Sequence, residues 1–108
     1  MVKTLREIIE DKIEEANGSG ETELKVNIEN SFIHRALLYV PRMMKEALDK
    51  TGITMEEPSP CPCGDNSIDF YWKTVDGELL LNVGENGASY YGDFKKDGRT
   101  IKLKGELN

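Results

Sequence analysis

The 108-residue chain contains no glutamine, a single histidine (His34), a single tryptophan and two cysteines. No apolar run approaches the roughly 18 residues that a membrane-spanning helix needs, so no membrane role is expected. The first residues, Met1 to Glu15, are charged and helical in pattern, without the apolar core of a secretory signal. The expectation is therefore a cytoplasmic protein. Phosphate-binding loops, dinucleotide fingerprints and helical zinc motifs are absent from the sequence. No serine or cysteine is tied to His34 at a meaningful spacing, so a nucleophilic triad has no support. The chain therefore reads as a non-enzyme, with a carboxylate site of unrecognised type as the least favoured alternative.

Twenty acidic and 14 basic residues leave a net charge of −6, and 38% of the residues are hydrophobic. That length and composition predict one domain over residues 1–108, large enough to bury a core. The acidic balance argues against general binding to phosphate backbones, which needs basic surface. Charge is unevenly spread. Glu7, Glu10, Asp11, Glu14 and Glu15 crowd the start, whereas Lys95, Lys96, Arg99, Lys102 and Lys104 gather near the end. The latter stretch, beside Tyr90 and Tyr91, offers a weak single-strand-binding reading by charge and stacking. Lysines that guard an edge strand explain it more simply.

Thr4 and Glu7 form a capping-box pattern ahead of Leu5, Ile8, Ile9, Ile13 and Ala16, and Asn17-Gly18 supplies a stop. A helix is expected over 5–16. Leu24, Val26 and Ile28 alternate with Glu23, Lys25 and Asn27, as a half-buried strand would. Asn30 or Ser31 can cap a second helix, whose apolar stripe reads Phe32, Ile33, Ala36, Leu37, Val40, Met44, Ala47 and Leu48. The stripe keeps its phase through Pro41, which favours one helix kinked at the proline over two helices. Lys50 and Gly52 end it. Residues 53–66 carry Pro58, Pro60 and Pro62 and are expected to form a loop.

Three Asx-Gly pairs follow: Asp76-Gly77, Asn86-Gly87 and Asp97-Gly98. Such pairs supply the positive φ angles of tight hairpins. They predict a four-stranded antiparallel meander from Ser67 to Leu107, with Gly92 marking a bulge or bend. The predicted fold is α+β: two N-terminal helices, the second kinked at a proline, covering one face of an antiparallel sheet. Alternation sends Ile68, Phe70, Trp72, Leu79 and Leu81 inward. It leaves Tyr71, Leu80 and Tyr91 as a band on the open face, more apolar than a solvated face requires. Such a band marks either local cross-strand pairing or an interface with a protein partner or a second copy in a homodimer. Asp69 and Asp93 would form an acid pair only if adjacent strands brought them together.

Cys61-Pro62-Cys63 is the most distinctive local sequence. Its thiols supply half of a tetrahedral zinc site, and the other half would have to come from a second chain. A bridge between them would close a small, strained, reducible ring. Two free thiols are the plain reading. A thiol-dependent metal or redox protein is thus the alternative to an interaction module.

The meander taken as a unit resembles a group of small uncharacterised prokaryotic and phage proteins. The resemblance rests on Ser67-Ile68-Asp69-Phe70-Tyr71-Trp72, Leu79-Leu80-Leu81-Asn82 and Tyr90-Tyr91-Gly92-Asp93, with Ile101-Lys102 and Gly105 beyond. It implies no activity and carries over no site residue. It implies an accessory or mobile-element setting, where short acidic proteins act as inhibitors or antitoxins.

Overall fold

The computed structural model describes residues 3–18 and 27–107. Helix α1 spans Leu5–Gly18 and helix α2 spans Asn30–Thr51. Strands β1 (Ser59–Gly64), β2 (Ser67–Thr74), β3 (Gly77–Gly84), β4 (Gly87–Lys96) and β5 (Arg99–Leu107) form one antiparallel sheet in sequence order. The strand expected over Glu23–Ile28 falls mostly outside the described residues, and Asn27 and Ile28 belong to no strand.

The capping box forms as the sequence predicts. The Thr4 amide donates to Glu7 Oε1 at 3.2 Å, and the Glu7 amide donates to Thr4 Oγ1 at 3.2 Å. Two amides that a helix start leaves unpaired are thereby satisfied. Helix α2 starts one residue earlier than expected, with Glu29 as N-cap and no side-chain cap bond. It runs unbroken through Pro41, so the two-helix alternative is excluded. Pro41 sits on the exposed side, where the backbone acceptor it leaves unpaired is near solvent. Gly52 closes the helix in the left-handed conformation (φ 73°), its amide donating to Leu48 O at 2.8 Å. The buried stripe is Phe32, Ile33, Ala36, Val40, Met43 and Ala47. Met43 takes the core position that periodicity had given to Met44, which is only partly buried, and Leu48 is exposed. The stripe advances by three and four residues, and the step from Val40 lands on Met43.

The loop expected over 53–66 is overturned in its second half, because Ser59–Gly64 is an edge strand and the sheet has five strands rather than four. An antiparallel ladder bonds alternate residues of a strand. Pro60 and Pro62, two apart, therefore both occupy positions that need no N–H toward β2, and an edge strand tolerates them there. Pro60 lies opposite Phe70 and Pro62 opposite Ile68. The register shift between Pro62 and Gly64 leaves Cys63 as the extra residue of a bulge. Pro60 is fully buried and Cys61 exposed, so the strand alternates like its neighbours.

Two-residue loops join the strands at 65–66, 75–76, 85–86 and 97–98. Asp97-Gly98 is the one Asx-Gly pair that fills a loop as expected, both residues having positive φ (53° and 77°). At the other two sites the loop lies one residue earlier, and Gly77 and Gly87 open the next strand. Moving a loop by one residue moves the pairing by two places. Side chains alternate with period two, so the inward and outward sets are unchanged. Ile68, Phe70, Trp72, Leu79, Leu81 and Val83 are accordingly buried, joined by Tyr90, Phe94, Leu103 and Leu107. These residues and the α1 and α2 stripes make one core cluster.

Gly92 makes neither bulge nor bend. It pairs in register with Leu79 on one side and Leu103 on the other. Its missing side chain makes room: a Cβ there would stand 2.8 Å from Phe94 Cε2 and 3.0 Å from Leu79 Cδ1. Gly105 does the same for the Tyr90 ring, whose hydroxyl would lie 2.7 Å from an added Cβ. That hydroxyl accepts a bond from Lys50 Nζ at 3.3 Å, tying β4 to the end of α2. Trp72 Nε1 donates to Glu56 O at 2.6 Å and fastens the α2–β1 connection to the sheet. The Asp65-Asn66 loop pins the entry to α2 through Asn27 N to Asp65 Oδ1 (2.9 Å) and Glu29 N to Asn66 Oδ1 (3.1 Å).

Candidate functional site on the open face of the sheet

Helices cover one face of the sheet, α1 over β1 and α2 over β3 and β5. The other face is open. Its side chains fall into rows set by the register. One row crosses all five strands as Ser59, Tyr71, Leu80, Tyr91 and Lys104, each directly opposite the next. The expected band is therefore a real row. Directly opposed residues approach within about 5 Å at Cβ, so their side chains pack as a strip. Tyr91 is 51% exposed and Leu80 40%. Tyr71 is half-buried, and its hydroxyl bonds the Glu78 carboxylate. That bond, helped by burial, holds the Tyr71 hydroxyl pKa above the ordinary tyrosine range.

Polar rows flank the strip. Toward the 75–76 loop the row reads Lys73, Glu78, Asp93 and Lys102; on the other side it reads Cys61, Asp69, Asn82, Ser89 and Glu106. Asp69 and Asp93 thus lie in different rows with β3 between them, and the acid-pair reading fails on register. Asn82 Nδ2 instead donates to Asp69 Oδ1 at 2.6 Å and to Ser67 Oγ at 3.4 Å. Ser67 Oγ lies 3.1 Å from Cys63 Sγ. This small network sits where β1 ends, and sequence reading missed it because β1 was not foreseen. The signal available was the odd-even spacing of Pro60 and Pro62 around Cys61.

Both cysteines are free and exposed. Although the residue is exposed overall, partial burial of its sulfur above all, opposed by the Ser67 bond and reinforced by the Asp69 charge, pushes the Cys63 thiol pKa up. A raised pKa lowers the thiolate fraction, and the thiolate is the form that attacks and ligates metals. Among the described residues no three His, Cys, Asp or Glu side chains converge to hold a metal ion.

His34 is exposed on α2, in the other layer, so the core separates it from Cys61 and Cys63. Tyr90 faces the core and Tyr91 faces outward. The two rings therefore cannot share a stacking platform, and Lys96 donates to Gly52 O at 3.1 Å. The basic stretch thus splits between two faces. No described helix is long and apolar enough to cross a membrane. Comparison with family models, curated proteins and solved structures returns no match.

Proposed function

We propose that this chain is a non-enzymatic protein-interaction module that engages its partner through the open face of the sheet. The observation that carries the reading is the Tyr71–Leu80–Tyr91 row, an apolar strip set between two polar rows. Interface centres favour this composition: tyrosine and aliphatic area inside, charge at the rim. Tyrosine brings large contact area with few rotatable bonds, so little entropy is lost on docking. The surrounding polar groups would remain at the rim, where solvent still reaches them.

The test compares wild type with Tyr71→Ser/Tyr91→Ser as immobilised bait, with Arg35→Ser on α2 as a control for a different surface. The reading expects a stoichiometric retained protein, a second copy included, that the tyrosine variant loses and the α2 variant keeps. Equal retention by all three would sink it.

A further inference from the structure

We infer that the partner on the open face is a second copy of this chain, docked face to face about a two-fold axis that lies along the Tyr71–Leu80–Tyr91 row. This inference rests on the interaction reading above and names its occupant. Charge carries it. The open face holds Lys73, Lys95, Lys102 and Lys104 against Asp69, Glu78, Asp93 and Glu106. Those charges cancel, although the chain as a whole carries −6. Two copies meeting by their open faces bring together the part of the surface that has no net charge to repel.

The arrangement within that neutral face is also self-complementary. A two-fold along the row turns each strand over onto its own counterpart, so residues equally distant from the row on one strand meet across the interface. On β2, Lys73 and Asp69 flank Tyr71; on β5, Lys102 and Glu106 flank Lys104. Under this operator Lys73 faces Asp69 of the second copy, and Lys102 faces Glu106 of the second copy, each contact occurring twice. Such isologous pairing is what a two-fold interface requires. Tyr71, Leu80 and Tyr91 meet their own counterparts along the axis, and so does Lys104 at the β5 end, the one like-charge contact this operator carries. Among the described residues Lys102 and Glu106 form no ion pair within the chain, so both are available.

Face-to-face packing of two sheets, with strands about 30° apart, is a common arrangement. Five strands about 4.8 Å apart and some seven residues long offer roughly 500 Å² in plan, so the pair covers about 1,000 Å². That is near the smallest area of a specific interface, in the range of weak and transient pairs.

Sedimentation or light scattering across about 1 to 200 µM chain reads the outcome. The mass should rise from 12.2 kDa to twice that value as concentration increases. Tyr91→Ser should hold the chain monomeric. Lys102→Glu places like charges opposite each other at two symmetric points and should raise the dissociation constant about tenfold or more. Lys102→Glu/Glu106→Lys restores opposite charges across the axis and should recover dimerisation. All three positions are exposed, so circular dichroism should show unchanged folding. A monomer at every concentration overturns the inference. So does a dimer indifferent to Tyr91→Ser, or one that the double swap fails to rescue. A monomer that still retains another protein in a Tyr71- and Tyr91-dependent way removes only the second copy as occupant. Loss of both removes the interaction reading as well.

Discussion

Replacing Gly92 by alanine tests whether packing, rather than backbone freedom, accounts for the glycine in β4. The residue stands between Leu79 and Leu103 in an uninterrupted ladder. An added Cβ would stand 2.8 Å from Phe94 Cε2, 3.0 Å from Leu79 Cδ1 and 3.2 Å from the Glu78 carbonyl oxygen. Ordinary carbon contacts lie at about 3.5–4.0 Å, so neighbours must give by roughly 0.5–1 Å. Phe94 and Leu79 are 1% and 0% exposed and have little room to move. Overpacking of this kind costs about 1–3 kcal/mol. Removing a glycine from a strand returns about 0.5–1 kcal/mol through the unfolded chain. The net expectation is a loss of about 1–2 kcal/mol. With a urea slope of about 2 kcal/mol per molar, the midpoint should fall by roughly 0.5–1 M. Gly84→Ala is the control, because its nearest neighbour would be 4.0 Å away; that midpoint should hold or rise. Phe94→Leu should also soften the Gly92→Ala penalty, making the double variant less destabilised than the two losses added together. Equal midpoints for Gly92→Ala and Gly84→Ala, or strict additivity with Phe94→Leu, would refute the packing account.

Three further outcomes are expected. Trp72→Phe keeps the buried ring but leaves the Glu56 carbonyl without the 2.6 Å indole bond; far-ultraviolet circular dichroism in urea should show a loss of about 1–3 kcal/mol. Thr4→Ala removes the capping box and should cost about 0.5–2 kcal/mol, read as faster amide exchange in α1 with β3 unaffected. Cys63 has its pKa raised, by burial first, so its thiolate fraction at pH 8 is smaller than that of an unburied thiol. Mass spectrometry should show Cys63 alkylated by iodoacetamide more slowly than N-acetylcysteine, the gap closing as pH rises. The linked stability has a definite sign. A thiol whose folded pKa is raised stabilises the fold fully below the ordinary cysteine pKa, and that contribution fades as pH climbs through the higher folded value.

What was legible in the sequence followed from periodicity. Ile68 to Trp72 and Leu79 to Val83 alternate so strictly that their faces survived a misplaced loop, because shifting a two-residue turn by one position preserves parity. The capping box was legible because Thr4 and Glu7 act within a single turn. What escaped depended on partners distant in sequence. Pro58, Pro60 and Pro62 read as breakers until β2 is placed beside them; only then does their spacing by two become the alternation of an edge strand. Gly92 read as a bulge because Leu79, which with Phe94 fills the space a Cβ would take, is found beside it only once β3 and β4 are in register. Met43 rather than Met44 entered the core because the steps of three and four from Val40 both fit a helical period. The Tyr71–Leu80–Tyr91 row was legible as a set, but its direct opposition depends on the register.

The two edges of the sheet bear on how copies of this chain can meet. On β1, Pro60 and Pro62 lack the N–H groups that an incoming strand would need, and the bulge at Cys63 breaks the ladder. On β5, Lys102 and Lys104 project beside the free edge, where a second strand would bring like charges together. Both edges therefore resist growth by strand addition. The helical face is closed by α1 and α2. The open face combines an apolar row with cancelling charge. Docking through that face, as proposed above, would terminate assembly at two copies. Edge pairing through a nine-residue β5 would instead leave both open faces available for further contacts. Hydrogen exchange separates the two geometries: face-to-face docking leaves the outward amides of β5 exchanging as fast at high concentration as at low, whereas edge pairing protects them.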